Sequence, residues 1–406
     1  MTNPFYDPYR VLLKIYSEGA HLKIALAETD IEELNRARTV KTVYGVLERD
    51  QYFSLCIRTF APKSPKLSVR VLLKIALYFL TVLKKPRYMV TDTAVELLKK
   101  LGKGGMAGFV NAFLRAFDEE KVTLPKGDEG LSVKSNYPLP IVKKIKAEYG
   151  GRAESILFAT SGGVTVRFER GEEKYLSLPH KDTPFEKVYC FDNFTRDEGF
   201  FKGDYTFQSV GSVAIASAVE PCESFLDACA APGGKSILIA KKCNSVTACE
   251  LHEHRVSLIK AYIERMGAEN VLPMQADSSV FNCEWEERFD GVLCDVPCSG
   301  LGTLCENPDI ALKEQDFASL NKAQSAILSN CSRYVKRGGY LYYSTCSLLN
   351  EENDLIVEQF LKAHSDYRAV EINSPLDHLK KKYGLQFLPD TAFGAGFYVC
   401  KLRREE

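Results

Sequence analysis

The hydrophobic pattern changes period along the chain. Over about residues 6–117 apolar residues recur every three or four positions, in YRVLLKIYSEG, in IEELNRARTVKTVYGVLERDQYFSLCIRTF and in VRVLLKIALYFLTVL. That spacing turns one face of each segment into a core and predicts an all-helical domain, residues 1–125. The next helix, VTDTAVELLKKLG, is expected to open on Thr91 or Asp92 as its cap and to stop at Gly102. GKGGMAGFVNAFLRAF then resumes helix, and residues 119–130, with Pro125, Gly127 and Gly130, read as a linker.

Residues 126–220 combine that linker with a small α+β segment. SNYPLPIVKKIKAEYGG is a helix opened by Pro140, VTVRFER an alternating strand, and QSVGSVAIASAVEP a small-residue helix. From residue 221 to 406 strand and helix patterns alternate. Strands SFLDAC, SVTACE, NVLPMQAD, FDGVLCDVP and GGYLYYSTCS are separated by helical stretches, among them a helix starting at Lys235 and a long one over residues 311–335. The tail FGAGFYVCKLRR is expected as an edge strand. Repeated βαβ units imply right-handed crossovers and a mostly parallel, doubly wound, Rossmann-like sheet. Ligands of such sheets collect beyond the carboxyl ends of the strands.

The candidate chemistry falls at those ends. FLDACAAPGGKS joins an apolar strand ending in Asp227 to a Pro-Gly-Gly loop, Cys229, Ala230, Ala231, Pro232, Gly233, Gly234 and Lys235. It has neither the spaced glycines of a dinucleotide fingerprint nor a phosphate loop. A backbone loop beside a carboxylate suits a cofactor with an amine, a carboxylate and a ribose but no pyrophosphate, and S-adenosylmethionine is such a molecule. Glu250 ends the second strand, near the offset at which an acid meets a ribose diol, and Asp277 ends the third, where it suits the adenine amino group. The fourth strand ends CDVPCSGLGT, with Asp295 and Cys298 in one turn, and the fifth ends YSTCS, with Cys346. Two cysteines at adjacent strand ends fit methylation at carbon 5 of a pyrimidine. A thiolate adding at C6 makes C5 nucleophilic, an acid such as Asp295 serves N3, and a base must then take the C5 proton, a step Cys298 could perform or assist.

Composition changes the picture little. Thirteen cysteines, an odd number set in apolar strands with no CxxC pair, read as reduced thiols without a metal, and the absence of a long apolar run or signal-like start reads as a cytoplasmic chain with no membrane segment. Lys+Arg and Asp+Glu are both 53, a neutral balance that counts mildly against a nucleic-acid substrate. Lys63, Lys66, Arg70, Lys74, Lys84, Lys85, Arg87, Lys99, Lys100, Lys103 and Arg115 nevertheless make the helical part basic, either as a solvated surface or as an RNA-binding face.

DACAAPGGKS, CDVPCSGLGT and YSTCSLLNEEN resemble the signatures of the RsmB/Sun-type RNA cytosine-5 methyltransferases, and VYGVLERDQYFSL, VRVLLKIALYFL and GFVNAFLRAF are similar to the NusB-like helical domain of its bacterial branch. The resemblance covers nearly the whole chain. It implies a class I methyltransferase domain using S-adenosylmethionine on RNA, with 16S ribosomal RNA as substrate; the chain is separately expected to be a monomer. It also implies Cys346 as nucleophile, Cys298 as the second cysteine, Asp295 on the base, and the Cys229 to Lys235 loop, Glu250, Asp277 and Asp295 around the cofactor. The sequence departs from the family pattern at LCENPDIAL, where Cys305 and Glu306 stand near an expected basic pair and Ala311-Leu312 replace Lys-Trp, at Ala395, and at Phe168 where Asn is common. Those departures suggest altered RNA contacts. They also motivate an alternative, a non-catalytic RNA-binding protein of ribosome assembly that kept the fold.

Overall fold

The structure is a computed structural model that describes residues 3–394 and 396–406; the departure noted at Ala395 lies outside the described residues. The chain divides into two compact units, Met1–Gly151 with Glu306–Glu314, and Arg152–Cys305 with Gln315–Glu406.

The first unit is helical: α1 (Tyr6–Glu18), α2 (Leu22–Glu28), α3 (Glu33–Leu47), α4 (Asp50–Phe60), α5 (Leu67–Thr81), α6 (Arg87–Lys100), α7 (Ala107–Ala116), α8 (Gly127–Ser135) and α9 (Leu139–Tyr149). The apolar stripes meet in one core that includes Leu12, Val43, Val46, Phe53, Leu72, Leu77, Leu97 and Leu114. The helical stretch over residues 31–60 divides at Arg49 (φ −121°, ψ 22°), and Asp50 opens α4 buried, its carboxylate accepting from the Lys74 ammonium and the Tyr16 hydroxyl. Two expectations need correction. Helix α6 starts after Pro86, and Thr91 spends its hydroxyl on the Arg87 carbonyl at 2.9 Å instead of capping a helix N-terminus. Residues 127–135 of the expected linker form α8, whose first turn carries Asp128 and Glu129 where the helix dipole favours them.

Lys74 is also not on the basic surface. It is 6% exposed and paired with Asp50, and burial pulls its ammonium below the usual lysine range. Lys63, Lys66, Arg70, Lys84, Lys85, Arg87, Lys99, Lys100 and Arg115 are exposed. The long helix expected over 311–335 is shorter because the Glu306–Glu314 segment belongs to the helical unit. There Pro308–Leu312 forms a 3₁₀ turn, and buried Asp309 accepts from the Leu22 N–H, an otherwise unpaired donor in the first turn of α2, at 3.2 Å.

The second unit begins with α10 (Ala153–Leu157) and a four-stranded antiparallel sheet of β1 (Val164–Phe168), β2 (His180–Asp182), β3 (Val188–Phe191) and β4 (Tyr205–Phe207), in the order β2-β3-β1-β4, with α11 (Glu198–Phe201) before β4. Phe168 is buried there, 5.4 Å from the Tyr175 ring and 5.5 Å from that of Tyr205. Its ring packs in the core of this sheet. Helix α12 (Val210–Ser217) leads into β5 (Cys222–Asp227), α13 (Gly234–Ile239), β6 (Cys243–Glu250), α14 (Glu253–Met266), β7 (Val271–Gln275), β8 (Phe289–Asp295), α15 (Phe317–Ser332), β9 (Val335–Thr345), α16 (Asp354–Ala363), β10 (Tyr367–Val370), β11 (Leu379–Lys380), β12 (Gly384–Phe387) and β13 (Phe397–Arg404).

Strands β9-β8-β5-β6-β7 run parallel in that order, so the crossovers leave β5 in opposite directions and open a crevice between the carboxyl ends of β5 and β8. The tail strand β13 is not an edge. It lies antiparallel to β9, and its other side pairs with β12 along Phe397 to Cys400 and with β10 along Lys401 to Arg404.

Candidate active site

Strand β5 delivers Asp227 to the crevice. The side chain is 1% exposed; Oδ2 accepts from the Ser236 hydroxyl at 2.7 Å, while Oδ1 is buried without a hydrogen-bond partner. Burial, opposed by the Ser236 bond, pushes its carboxyl up to about 6. The loop that follows folds on itself through Gly233 N–H to the Ala230 carbonyl at 2.7 Å and anchors to β6 through Ala230 N–H to the Cys249 carbonyl at 2.7 Å. Gly233 sits at φ +108°, a backbone state that an L side chain rarely adopts. Together with Phe207, Gln208, Ser209, Ser212, Tyr262 and Asp295, residues Asp227, Ala230, Ala231, Pro232, Gly234 and Lys235 line a cavity of about 170 Å³.

The other predicted cofactor residues lie at and beyond the ends of the next two strands. Glu250 is buried at the end of β6, accepting from His252 N–H at 3.1 Å and pairing with Arg255 at 3.3 Å. Arg255 also donates to the Ala231 carbonyl at 3.3 Å, tying the end of β6 to the loop. Asp277 lies exposed two residues beyond β7 and accepts from Ser279 N–H at 2.9 Å and its hydroxyl at 2.6 Å. Cys229, Gly233, Glu250 and Asp277 are not among the residues lining the cavity.

Asp295 ends β8 with both oxygens accepting, Oδ2 from Lys235 Nζ and Oδ1 from the Ser344 hydroxyl, each at 2.6 Å. Burial disfavours the Lys235 charge, but the Asp295 carboxylate outweighs it and holds the ammonium above its usual range. The two cysteines converge: Cys298 Sγ lies 3.2 Å from Cys346 Sγ, and the Cys346 N–H points to Cys298 Sγ at 3.2 Å. The hydrogen bond to Cys346, with burial, keeps the Cys298 thiol far above its ordinary value. Gly302 closes the turn: its N–H donates to the Cys346 carbonyl at 2.9 Å, and a Cβ there would stand 2.0 Å from the Gly396 carbonyl oxygen.

Sequence reasoning missed four groups of partners. Gln208, Ser209 and Tyr262 carry no motif, and the Lys235–Asp295 pair joins residues 60 positions apart. The buried Glu352 receives Ser299 and Ser347, the residues after the two cysteines. Arg255 had no signal beyond its place five residues after Glu250.

Among the described residues no group of His, Cys, Asp and Glu is arranged to hold a metal ion, and no helix is long and apolar enough to cross a membrane. A model of the family 16S rRNA methyltransferase RsmB/F matches residues 214–403, and a NusB family model matches residues 9–119. The probable ribosomal RNA small subunit methyltransferase B of Bacillus subtilis (strain 168) is 30% identical over 433 residues, covering 97% of each chain. The ribosomal RNA small subunit methyltransferase B of Xanthomonas campestris pv. campestris is 28% identical over 97% of this chain and 95% of its own. In fold, the chain is similar to PH0851, with a TM-score of 0.85 at 20% identity over 98% of both chains. It is also similar in fold to NSun6 from Pyrococcus horikoshii, with a TM-score of 0.59 at 19% identity over 67% of this chain and 99% of that one. Motifs, fold and relatives agree over nearly the full length: the chain belongs to the RsmB/F family of 16S rRNA methyltransferases and carries a NusB-family helical region ahead of its methyltransferase domain.

Proposed function

We propose that this chain makes 5-methylcytosine in 16S ribosomal RNA, with Cys346 forming a covalent bond to C6 of the target base. The observation that carries the reading is the 3.2 Å approach of the Cys298 and Cys346 sulfurs beside an Asp295 carboxylate held by Lys235 and Ser344. A cytosine reaches such a cleft only unstacked, so the target is a flipped or single-stranded base.

S-adenosylmethionine fits the cavity on this chain's own terms, since the orphaned Asp227 Oδ1 needs a donor and the cofactor brings an amine and ribose hydroxyls. When bound it supplies an electrophilic methyl group. The Cys229 to Lys235 loop would hold it, with Asp227 and Gln208 facing it from the cavity wall; Glu250 and Asp277, at and beyond the ends of the next two strands, are assigned to its ribose and adenine.

Cys346 adds through its thiolate to C6, and the electron pair of the C5–C6 double bond becomes available at C5. Charge builds at N3, where the Asp295–Lys235 pair serves as hydrogen-bond partner and proton source; Lys235 brings the proton that Asp295, accepting on both oxygens, lacks. Once the Cys346 sulfur is bonded to C6 it no longer holds the Cys298 proton in place; after transfer Cys298, as thiolate, takes the C5 proton, the C–H electron pair re-forms the C5–C6 double bond, and Cys346 leaves as thiolate. Cys298, in contact with the leaving sulfur, is the residue we assign to that release.

Residues 1–125 act in this reading as the RNA-binding domain, supported by the exposed cations of α5, α6 and α7, and residues 221–406 as the methyltransferase domain; of residues 126–220 between them, α8 and α9 belong to the helical unit and the β1–β4 sheet to the second. One chain holds every residue named, so a monomer suffices. An RNA substrate and reduced thiols suit the cytoplasm.

Bisulfite sequencing of total RNA from a strain lacking the gene, against its parent, tests the reading. One small-subunit rRNA cytosine should lose its methylation; identical patterns in the two strains would overturn it.

Asp227 gives a second prediction. Its carboxyl titrates near 6 in the folded chain and near its ordinary acidic value when unfolded. The folded state therefore holds that proton more tightly, and the cost of ionising the group grows as pH rises from about 4 to 6 and is constant above. Asp227→Asn should stabilise the cofactor-free protein at pH 7, by up to about 3 kcal/mol, and by little at pH 4. The same change should weaken S-adenosylmethionine binding by about 10–100-fold, as loss of a charged hydrogen bond does. Urea unfolding at the two pH values and calorimetry of cofactor binding measure both.

A further inference from the structure

The reaction proposed above asks two sulfurs on separate loops to meet at one ring, yet neither cysteine turn is a regular element. Cys298 sits after β8 and Cys346 after β9. Something must fix their separation.

Glu352 lies at the meeting point. It is 0% exposed, in a 3₁₀ turn (Asn350–Glu352) before α16. Its Oε1 accepts from the Ser299 N–H at 2.8 Å and from Gln324 Nε2 at 3.1 Å. Its Oε2 accepts from the Ser299 hydroxyl at 2.5 Å and from the Ser347 hydroxyl. Gln324 Nε2 also donates to the Pro297 carbonyl at 3.0 Å, so the residues on both sides of Cys298 are held. Among the described residues no cation pairs with this carboxylate, and four donors alone satisfy it. A buried charge without a counter-ion is costly unless its hydrogen bonds are complete. A packing role would be served by an apolar side chain at less cost. What an apolar side chain cannot do is bind both serines at once.

We propose that Glu352 is the positioning residue that sets the two cysteine turns in register, its carboxylate clamping Ser299 and Ser347, the residues that follow Cys298 and Cys346. The inference rests on the covalent reading of the two cysteines. Glu352 touches neither substrate nor cofactor and acts through the backbone of the two turns. Misplacement of a reacting group by about 1 Å costs on the order of 10²-fold in rate. Glu352→Ala should therefore lower kcat and the rate of adduct formation with RNA carrying 5-fluorocytosine by about 100-fold, with KM for both substrates within about twofold. The fluorine cannot leave as the proton does, so the adduct persists once the methyl group is transferred, and its rate reports on attack and transfer without release. Glu352→Gln retains an acceptor for the Ser299 N–H and should recover about tenfold of the loss. Ser299→Ala with Ser347→Ala should reproduce most of the defect, and adding them to Glu352→Ala should cost little more, as members of one network do.

Rates are taken per folded protein. If Glu352→Ala does not fold, Glu352→Gln and the paired serine variant carry the test. Wild-type adduct rates in those folded variants would overturn the proposal. A readout independent of catalysis separates it from the covalent reading. In a Cys222→Ser background, which removes the part-exposed Cys222–Cys243 pair and leaves, besides the target, the fully buried Cys294–Cys331 pair, phenylarsine oxide should bridge Cys298 and Cys346 in the parent and bind about tenfold more weakly after Glu352→Gln. Unchanged arsenical affinity would sink the positioning role. Absence of any adduct in the wild-type chain, with arsenical affinity shifted as expected, would instead sink the covalent reading and leave the positioning role standing.

Discussion

Cys346→Ala protein should transfer no measurable methyl group to RNA, a loss of at least about 10⁴-fold in turnover, as removal of a covalent nucleophile produces. The size follows from the substrate. C5 of cytosine is too weak a nucleophile to attack a methyl sulfonium unaided, and no other group at the strand ends substitutes for the C6 thiolate. Cys298 does not replace it: its sulfur accepts from the Cys346 backbone N–H and its thiol is held protonated by burial and by the neighbouring sulfur. Binding should survive, because the Asp227 cavity and the loop are independent of Cys346. Single-turnover transfer of a labelled methyl group, with calorimetry of cofactor binding, separates the two effects. Retained turnover would remove Cys346 from the chemistry.

Cys298→Ala should behave in the opposite way. Attack and methyl transfer proceed, but release stalls, so turnover falls by roughly 10²–10⁴-fold, the usual range for loss of a proton-transfer group. A covalent protein–RNA band should accumulate on a denaturing gel. Three outcomes are distinct. A band in Cys298→Ala alone fits the assignment; a band in Cys346→Ala alone exchanges the two roles; near-normal turnover makes Cys298 a packing residue. The 3.2 Å sulfur contact makes the last outcome the hardest to reconcile with the geometry.

Much of this was legible along the chain because its signals are local. A helical period survives in any tertiary setting, so the bundle of α1 to α7 could be read from residues 6–117. The strand-end residues Asp227, Asp295, Cys298 and Cys346 were legible because a parallel sheet gathers its carboxyl ends in one place. What the pattern hid was long-range pairing. Lys74 looked like one more surface lysine until Asp50, 24 residues away, was seen to bury it. Glu352 stood unremarked in the run YSTCSLLNEEN, because its partners Ser299 and Gln324 lie on two other segments. Phe168 stood only as a departure from the family pattern because no sequence pattern reveals the rings of Tyr175 and Tyr205 around it.

The neutral overall charge misled for a related reason. It sums over two units, whereas an RNA backbone responds to local fields within about a Debye length. The exposed cations of the helical unit persist although the total is zero, and the rRNA methyltransferase family to which the chain belongs acts on RNA all the same. Net charge is therefore a weak guide for a chain that carries a set of exposed cations in one unit.

The most direct measurement is mass spectrometry of the peptide that carries the base. Cys298→Ala protein is incubated with RNA and S-adenosylmethionine, digested with protease and nuclease, and the modified peptide is sequenced. A methylated cytidine nucleotide bonded to Cys346 is the predicted result. The same mass on any other cysteine, or methylated RNA with no bonded peptide at any time point, would contradict the mechanism.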